Sequence, residues 1–71
     1  MKTIKLLEYK SDGIFIDLDI NYIPYQKLIY DPEKYLNKNQ RYYFYCKSGI
    51  KSREVVSRLE LLDYKVVRVV D

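Results

Sequence analysis

Residues 41–70 leave this chain few ways to fold. They read as a strand, a short loop, an amphipathic helix and a second strand. Arg41 to Cys46 (RYYFYC) is aromatic, and aromatic residues favour strands. Its apolar residues do not alternate with polar ones, which predicts burial on both faces. Ser52 is a good N-cap for the helix, with Glu54 in the first turn. Val55, Val56, Leu59 and Leu62 share one face at helical spacing, and Leu61 falls off it. Asp63 ends the helix, since Asp tolerates left-handed backbone better than most residues. Lys65 to Val70 (KVVRVV) is the second strand. A helix between two strands of one sheet imposes a parallel, right-handed crossover. The predicted fold class is α/β: a small, mostly parallel sheet of about four strands flanked by helices.

The first half is less constrained. Thr3 to Tyr9 (TIKLLEY) suits a strand or a short helix. Asp12-Gly13 is a turn signal, and Ile14 to Leu18 (IFIDL) reads as a buried strand. If both segments are strands, Lys10 to Gly13 alone joins them. A parallel crossover needs about a dozen residues or more. The two therefore form a hairpin or are not neighbours. Pro24 can open a helix whose apolar face is Tyr25, Leu28 and Ile29. Asp31-Pro32-Glu33 is a second start, which predicts two short helices or one broken at Pro32. The polar stretch Asn37 to Gln40 is a loop.

At 71 residues the chain is read as one domain, 1–71. A domain this short buries roughly 60% of its unfolded surface, so any site is shallow and partly backbone. The nine tyrosines carry apolar bulk with a polar tip and suit the margin of a small core. Net charge is +3, and acidic residues interrupt every basic run. That argues against a nucleic-acid partner, whose footprint is a concentrated basic stripe. No apolar run approaches the ~20 residues of a membrane span, and the N-terminus lacks a signal-peptide core. A single cysteine excludes an internal disulfide and points to a reducing, cytoplasmic setting. With one Cys and no His, neither the usual zinc site nor a Cys–His pair can be built.

The chemistry gathers at that cysteine. Cys46 ends a strand, and ligands bind at the carboxyl ends of strands in open α/β sheets. The loop Lys47, Ser48, Gly49, Ile50, Lys51 then leads to Ser52 and the helix. Successive backbone N–H groups and the positive end of a helix make a nest for an anion. Gly49 lets the backbone take positive φ. Lys47, Lys51 and Arg53 add positive charge that suits a small anion better than a polyanion. Such surroundings lower a thiol's pKa and expose a nucleophilic thiolate. The plain alternatives stand beside this: Cys46 as a small core residue at a strand end, the lysines as solvated loop residues, and Ser52 as an N-cap only. Asp17 and Asp19, two apart on a strand, point the same way. They are read as strand-end solvation or a salt bridge to a nearby lysine, since no metal set completes them.

Cys46-Lys47-Ser48-Gly49-Ile50-Lys51-Ser52 resembles the active-site loop of rhodanese-like sulfurtransferases. That loop runs cysteine, two variable residues, glycine, a variable residue, a basic residue, serine, then a helix. Leu62-Asp63-Tyr64 with Val66 to Val70 is similar to that family's helix end and following strand. Ile16-Asp17 resembles its earlier Ile-Asp strand, and Ile23-Pro24 the opening of its middle helix. The likeness covers about half the chain. It implies that Cys46 takes a sulfane sulfur from a donor such as thiosulfate, holds it as a persulfide and passes it on. The acceptor would be a nucleophile, either a small thiol or a protein. Lys47, Ser48, Gly49, Ile50, Lys51 and Ser52 would bind substrate through backbone amides and charge, with no cofactor. The chain looks like a shortened member. Asp19 stands where the family has arginine and Asp63 where it has glycine. The stretch around its Gly-His-Ile-x-Gly-Ala is missing. Two rivals remain. One is a non-catalytic rhodanese-like module that binds a partner or regulates. The other is a cysteine phosphatase or arsenate reductase, which needs an arginine where this chain has Ser52, one residue before Arg53.

Overall fold

A computed structural model describes residues 1–20 and 23–71. Four strands form one all-parallel sheet: β1 (Thr3–Lys5), β2 (Ile14–Asp17), β3 (Arg41–Tyr45) and β4 (Lys65–Val70), in the order β1-β4-β3-β2. Helix α1 (Tyr25–Tyr30) and a 3-10 turn (Pro32–Lys34) link β2 to β3, and helix α2 (Ile50–Leu61) links β3 to β4. The α/β class expected from residues 41–70 is the observed one.

The order of the strands decides where the helices go. From β2 through β3 to β4 the chain steps across the sheet in one direction. Right-handed crossovers then place both helices on the same face. The packing agrees. Leu28 and Ile29 of α1 and Val55, Val56 and Leu59 of α2 join one cluster with Tyr42, Phe44, Cys46 and Val66 from the sheet. Alternate residues Tyr43, Val67 and Val69 point to the other face. Among the described residues that face has no α-helix. The return from β1 to β2 crosses it, passing over β4 and β3, about 14 Å of sheet. The residues between, Leu6–Gly13, make the crossing as a strap. Its 3-10 turn spans Leu6–Glu8. Tyr9 then packs its ring 4.8 Å from that of Tyr43 and 5.1 Å from that of Phe15. The first two strands are thus not neighbours, and residues 3–9 are a strand followed by a helical turn.

Tyrosine does mark the margin of the core. The hydroxyl of Tyr43 donates to Asp12 at 2.6 Å, that of Tyr9 to the Gly13 carbonyl at 2.7 Å, and that of Tyr42 accepts the Asn37 N–H at 2.7 Å. Each ring is inside and each tip finds a polar partner. Gly13 is required by close approach: a Cβ there would meet the Arg41 carbonyl oxygen at 2.7 Å.

The helix ends depart from the sequence reading. Pro24 precedes α1 in extended conformation rather than occupying its first turn. Asp31 makes no side-chain cap to the turn it precedes, and its carboxylate pairs with Lys34 at 3.2 Å instead. Helix α2 begins at Ile50, not after Ser52, and Gly49 enters it at φ 79°. Ser52 therefore lies inside the first turn, and Glu54 falls beyond it. Val55, Val56 and Leu59 are buried as expected, whereas Leu62 is 46% exposed because the helix has already ended at Leu61. Asp63 adopts φ 67°, the left-handed residue that the helix end needs.

Candidate active site

Cys46 follows directly on β3 and is 2% exposed. Its neighbours explain why the chain turns into α2 where it does. The first N–H groups of a helix have no partner within it. Here the Ser52 N–H donates to Cys46 Sγ at 3.2 Å, the Ile50 N–H to Ser48 Oγ at 3.3 Å and the Arg53 N–H to the Gly49 carbonyl at 3.3 Å. The cysteine sulfur thus caps α2. Gly49 makes this possible, since its positive φ brings the chain into the helix early enough to aim Ser52 at the sulfur.

In the thiol form the S–H donates to Ser52 Oγ at 3.5 Å, while the Ser52 hydroxyl donates to the Gly49 carbonyl at 3.3 Å. Ser48 Oγ stands 3.9 Å from the sulfur. When the thiol ionises, the Ser52 hydroxyl can turn to donate to the sulfur. Burial pushes the Cys46 thiol up. The Ser52 hydroxyl and N–H, the Ser48 hydroxyl and the Gly49 N–H together outweigh it and hold the pKa below that of an ordinary thiol. The positive end of the twelve-residue helix α2 acts in the same direction.

The expected site residues come together here with different tasks. Gly49 shapes the loop, Ser48 and Ser52 face the sulfur, and Ser52 is fully buried. It is not the N-cap. Lys47 is exposed, and Ile50 is 71% exposed at the loop's outer edge. Lys51 lies 5.8 Å above the Tyr25 ring and pairs with Asp19 at 3.5 Å. Asp19 also accepts the Lys47 N–H at 2.7 Å, and the Asp19 N–H in turn donates to Asp17 at 2.9 Å. The pairing of an aspartate with a nearby lysine was legible in the sequence. That the same carboxylate takes a loop N–H was not.

Arg68 was missed. Its Nη2 donates to the Gly49 carbonyl at 3.0 Å, so β4 holds the loop from behind. The available signal was an arginine interrupting the valines of KVVRVV. Arg68, Arg53, Glu54, Ser57, Ser48 and Gly49 line a cleft of about 470 Å³ beside the loop.

Compared with protein-family models, curated proteins and solved structures, the chain matches none. Among the described residues no helix is long and apolar enough to cross a membrane, and no cluster of His, Cys, Asp and Glu could hold a metal ion.

Proposed function

We propose that this chain is a rhodanese-like sulfurtransferase working through a Cys46 persulfide. The observation that carries the reading is the sulfur at the head of α2, receiving the Ser52 N–H at 3.2 Å with two hydroxyls beside it. Such a site stabilises sulfur as an anion and needs no histidine to deprotonate it.

The chemistry balances without a further reactant. The Cys46 thiolate attacks the outer sulfur of thiosulfate, a new S–S bond forms, and the old one breaks with its electron pair leaving on sulfite. A nucleophilic acceptor then attacks the terminal sulfur of the persulfide, and the Cys46 thiolate departs. The negative charge that develops on the terminal sulfur meets the loop and the positive end of α2. The phosphatase alternative is weaker. Its arginine position is held by Ser52, which is buried against the sulfur and cannot grip an oxyanion.

The near-complete burial of Cys46 supports one competing reading, in which the sulfur is only a helix cap. Intact-mass measurement after incubation with thiosulfate separates the two. A gain of one sulfur atom, absent in Cys46→Ser, is expected. An unchanged mass in folded protein would leave the cysteine a structural cap.

A further inference from the structure

The outer face of α2 carries side chains that the fold does not use. Ile50 is 71% exposed and Leu61 84%. At 3.6 residues per turn they stand three turns apart, about 16 Å along one line of the helix. That line lies opposite Val55, Val56 and Leu59, which face the core. Glu54 and Arg58 flank it on one side, and Arg53, Ser57 and Glu60 on the other. The four charged residues are exposed. Opposite charges at i, i+4, such as Glu54 and Arg58, ordinarily pair along their own helix. Here, among the described residues, neither has an ion pair, nor has Arg53, and Glu60 reaches only the N-terminal amine at 3.7 Å.

Turned end for end, this face complements itself. A two-fold axis across the middle of α2 sets Ile50 of each copy against Leu61 of the other. Both copies then keep Glu54 and Arg58 on the same side of the contact. Glu54 of one comes level with Arg58 of the other to within one residue, about 1.5 Å. On the opposite side Arg53 comes level with Glu60 to within two residues, about 3 Å. The apolar ends have room to meet. Leu61 and Leu62 border, with Ile29, Ser57 and Arg58, a groove of about 350 Å³ that can take Ile50 of the second copy. Ile50 in turn borders the cleft of about 470 Å³ beside the Cys46 loop, and Ser57 lines both hollows. We propose that two copies of this chain pair through α2, antiparallel about a two-fold axis, and that each copy's helix end walls the cleft beside the other's Cys46 loop. One helix face makes an interface at the small end of the specific range, below about 1,200 Å² in total, so the dimer exchanges with monomer. At low micromolar concentration the monomer prevails, and the pairing leaves fold stability unchanged.

Sedimentation equilibrium of the full chain tests the pairing, and the test does not depend on sulfur transfer. Between micromolar and millimolar concentration the average mass of wild type should rise from 8.6 kDa toward double that value. The pattern of charge makes a sharper demand. Glu54→Arg sets cation against cation at both reciprocal contacts, and Arg58→Glu sets anion against anion. Both positions are exposed, so neither change disturbs the core. Each variant alone should dimerise about tenfold more weakly, the scale of two exposed ion pairs turned to repulsion. An equimolar mixture of the two restores opposite charges at both contacts. It should form a mixed dimer at least as tight as that of wild type. A wild type that stays at 8.6 kDa up to millimolar concentration would overturn the proposal. So would single variants that pair as tightly as wild type, or a mixture that pairs no better than its components.

Discussion

Cys46 meets two demands with one atom. The fold needs an acceptor for the first N–H groups of α2, and the sulfur supplies it to Ser52. The proposed chemistry needs a stabilised thiolate, and the same bond favours the ionised form. Ultraviolet titration of the thiolate should therefore place its pKa below that of an ordinary thiol, and Ser52→Ala should move it upward. A titration unmoved by Ser52→Ala would contradict the hydrogen-bond account. The sign for stability follows. An acidic group depressed in the folded state adds stability above its unfolded pKa and loses it as pH falls through the folded value. Wild type should thus gain on Cys46→Ser as pH rises from neutral toward about 9. Gly49→Ala is the backbone test. At φ 79° a side chain costs about 1–2 kcal/mol, and the new Cβ would stand 2.8 Å from Arg68 Nη2. The denaturation midpoint should drop accordingly, and Cys46 reactivity should fall with it. The need for glycine at this position was readable from the loop alone. The sulfur-to-Ser52 bond was not, because Ser52 looks like an ordinary cap until the helix is seen to start at Ile50.

At the scale of elements, the strap over the helix-free face is held by Tyr9, Asp12 and Tyr43. The Tyr43 hydroxyl holds the Asp12 carboxyl below its usual range despite some opposing desolvation, with Arg41 helping. A depressed carboxyl contributes stability above its unfolded pKa that is lost as pH falls through the folded one. Tyr43→Phe should accordingly destabilise the protein at neutral pH, and the gap to wild type should close in acid. Urea midpoints at several pH values check this. The sequence concealed the strap, because no local pattern announces that residues 6–13 cross two strands. It arises from strand order, which is a long-range property. The clear βαβ unit of residues 41–70 has the opposite character: its periodicity and crossover rule are local, and its strand, helix and strand are observed in that order, with the helix starting at Ile50 rather than after Ser52. Asp19 lies between these cases. Its partner lysine was foreseeable, but its grip on the Lys47 N–H depends on the end of β2 lying beside the end of β3, a pairing in which Asp17 meets Tyr45. Asp19→Asn should free Lys51 and lower the KM for thiosulfate several-fold, in line with an exposed ion pair worth up to about 1 kcal/mol. A higher KM would show that Asp19 orders the loop more than it opposes the donor.

For the whole molecule, size governs. A single core in a 71-residue chain supplies a net stability of about 3–5 kcal/mol. Phe44 is fully buried beneath the helices, and Phe44→Ala should cost about 3–5 kcal/mol. Its cooperative unfolding transition should all but vanish at 25 °C. Leu61, 84% exposed on α2, should tolerate alanine within about 0.5 kcal/mol. Two leucines of one helix, Leu59 and Leu61, thus have opposite roles, which the helical spacing in the sequence already separates. The same small core explains why the site is built largely from a loop, one helix end and a few hydroxyl- and guanidinium-bearing side chains rather than from a deep cavity. The most direct measurement is thiocyanate formation from thiosulfate and cyanide by wild type and by Cys46→Ser. Turnover by wild type that the variant lacks is the predicted result. Equal rates in the two, or none from a folded wild type, would contradict the claim that Cys46 carries sulfur between these partners.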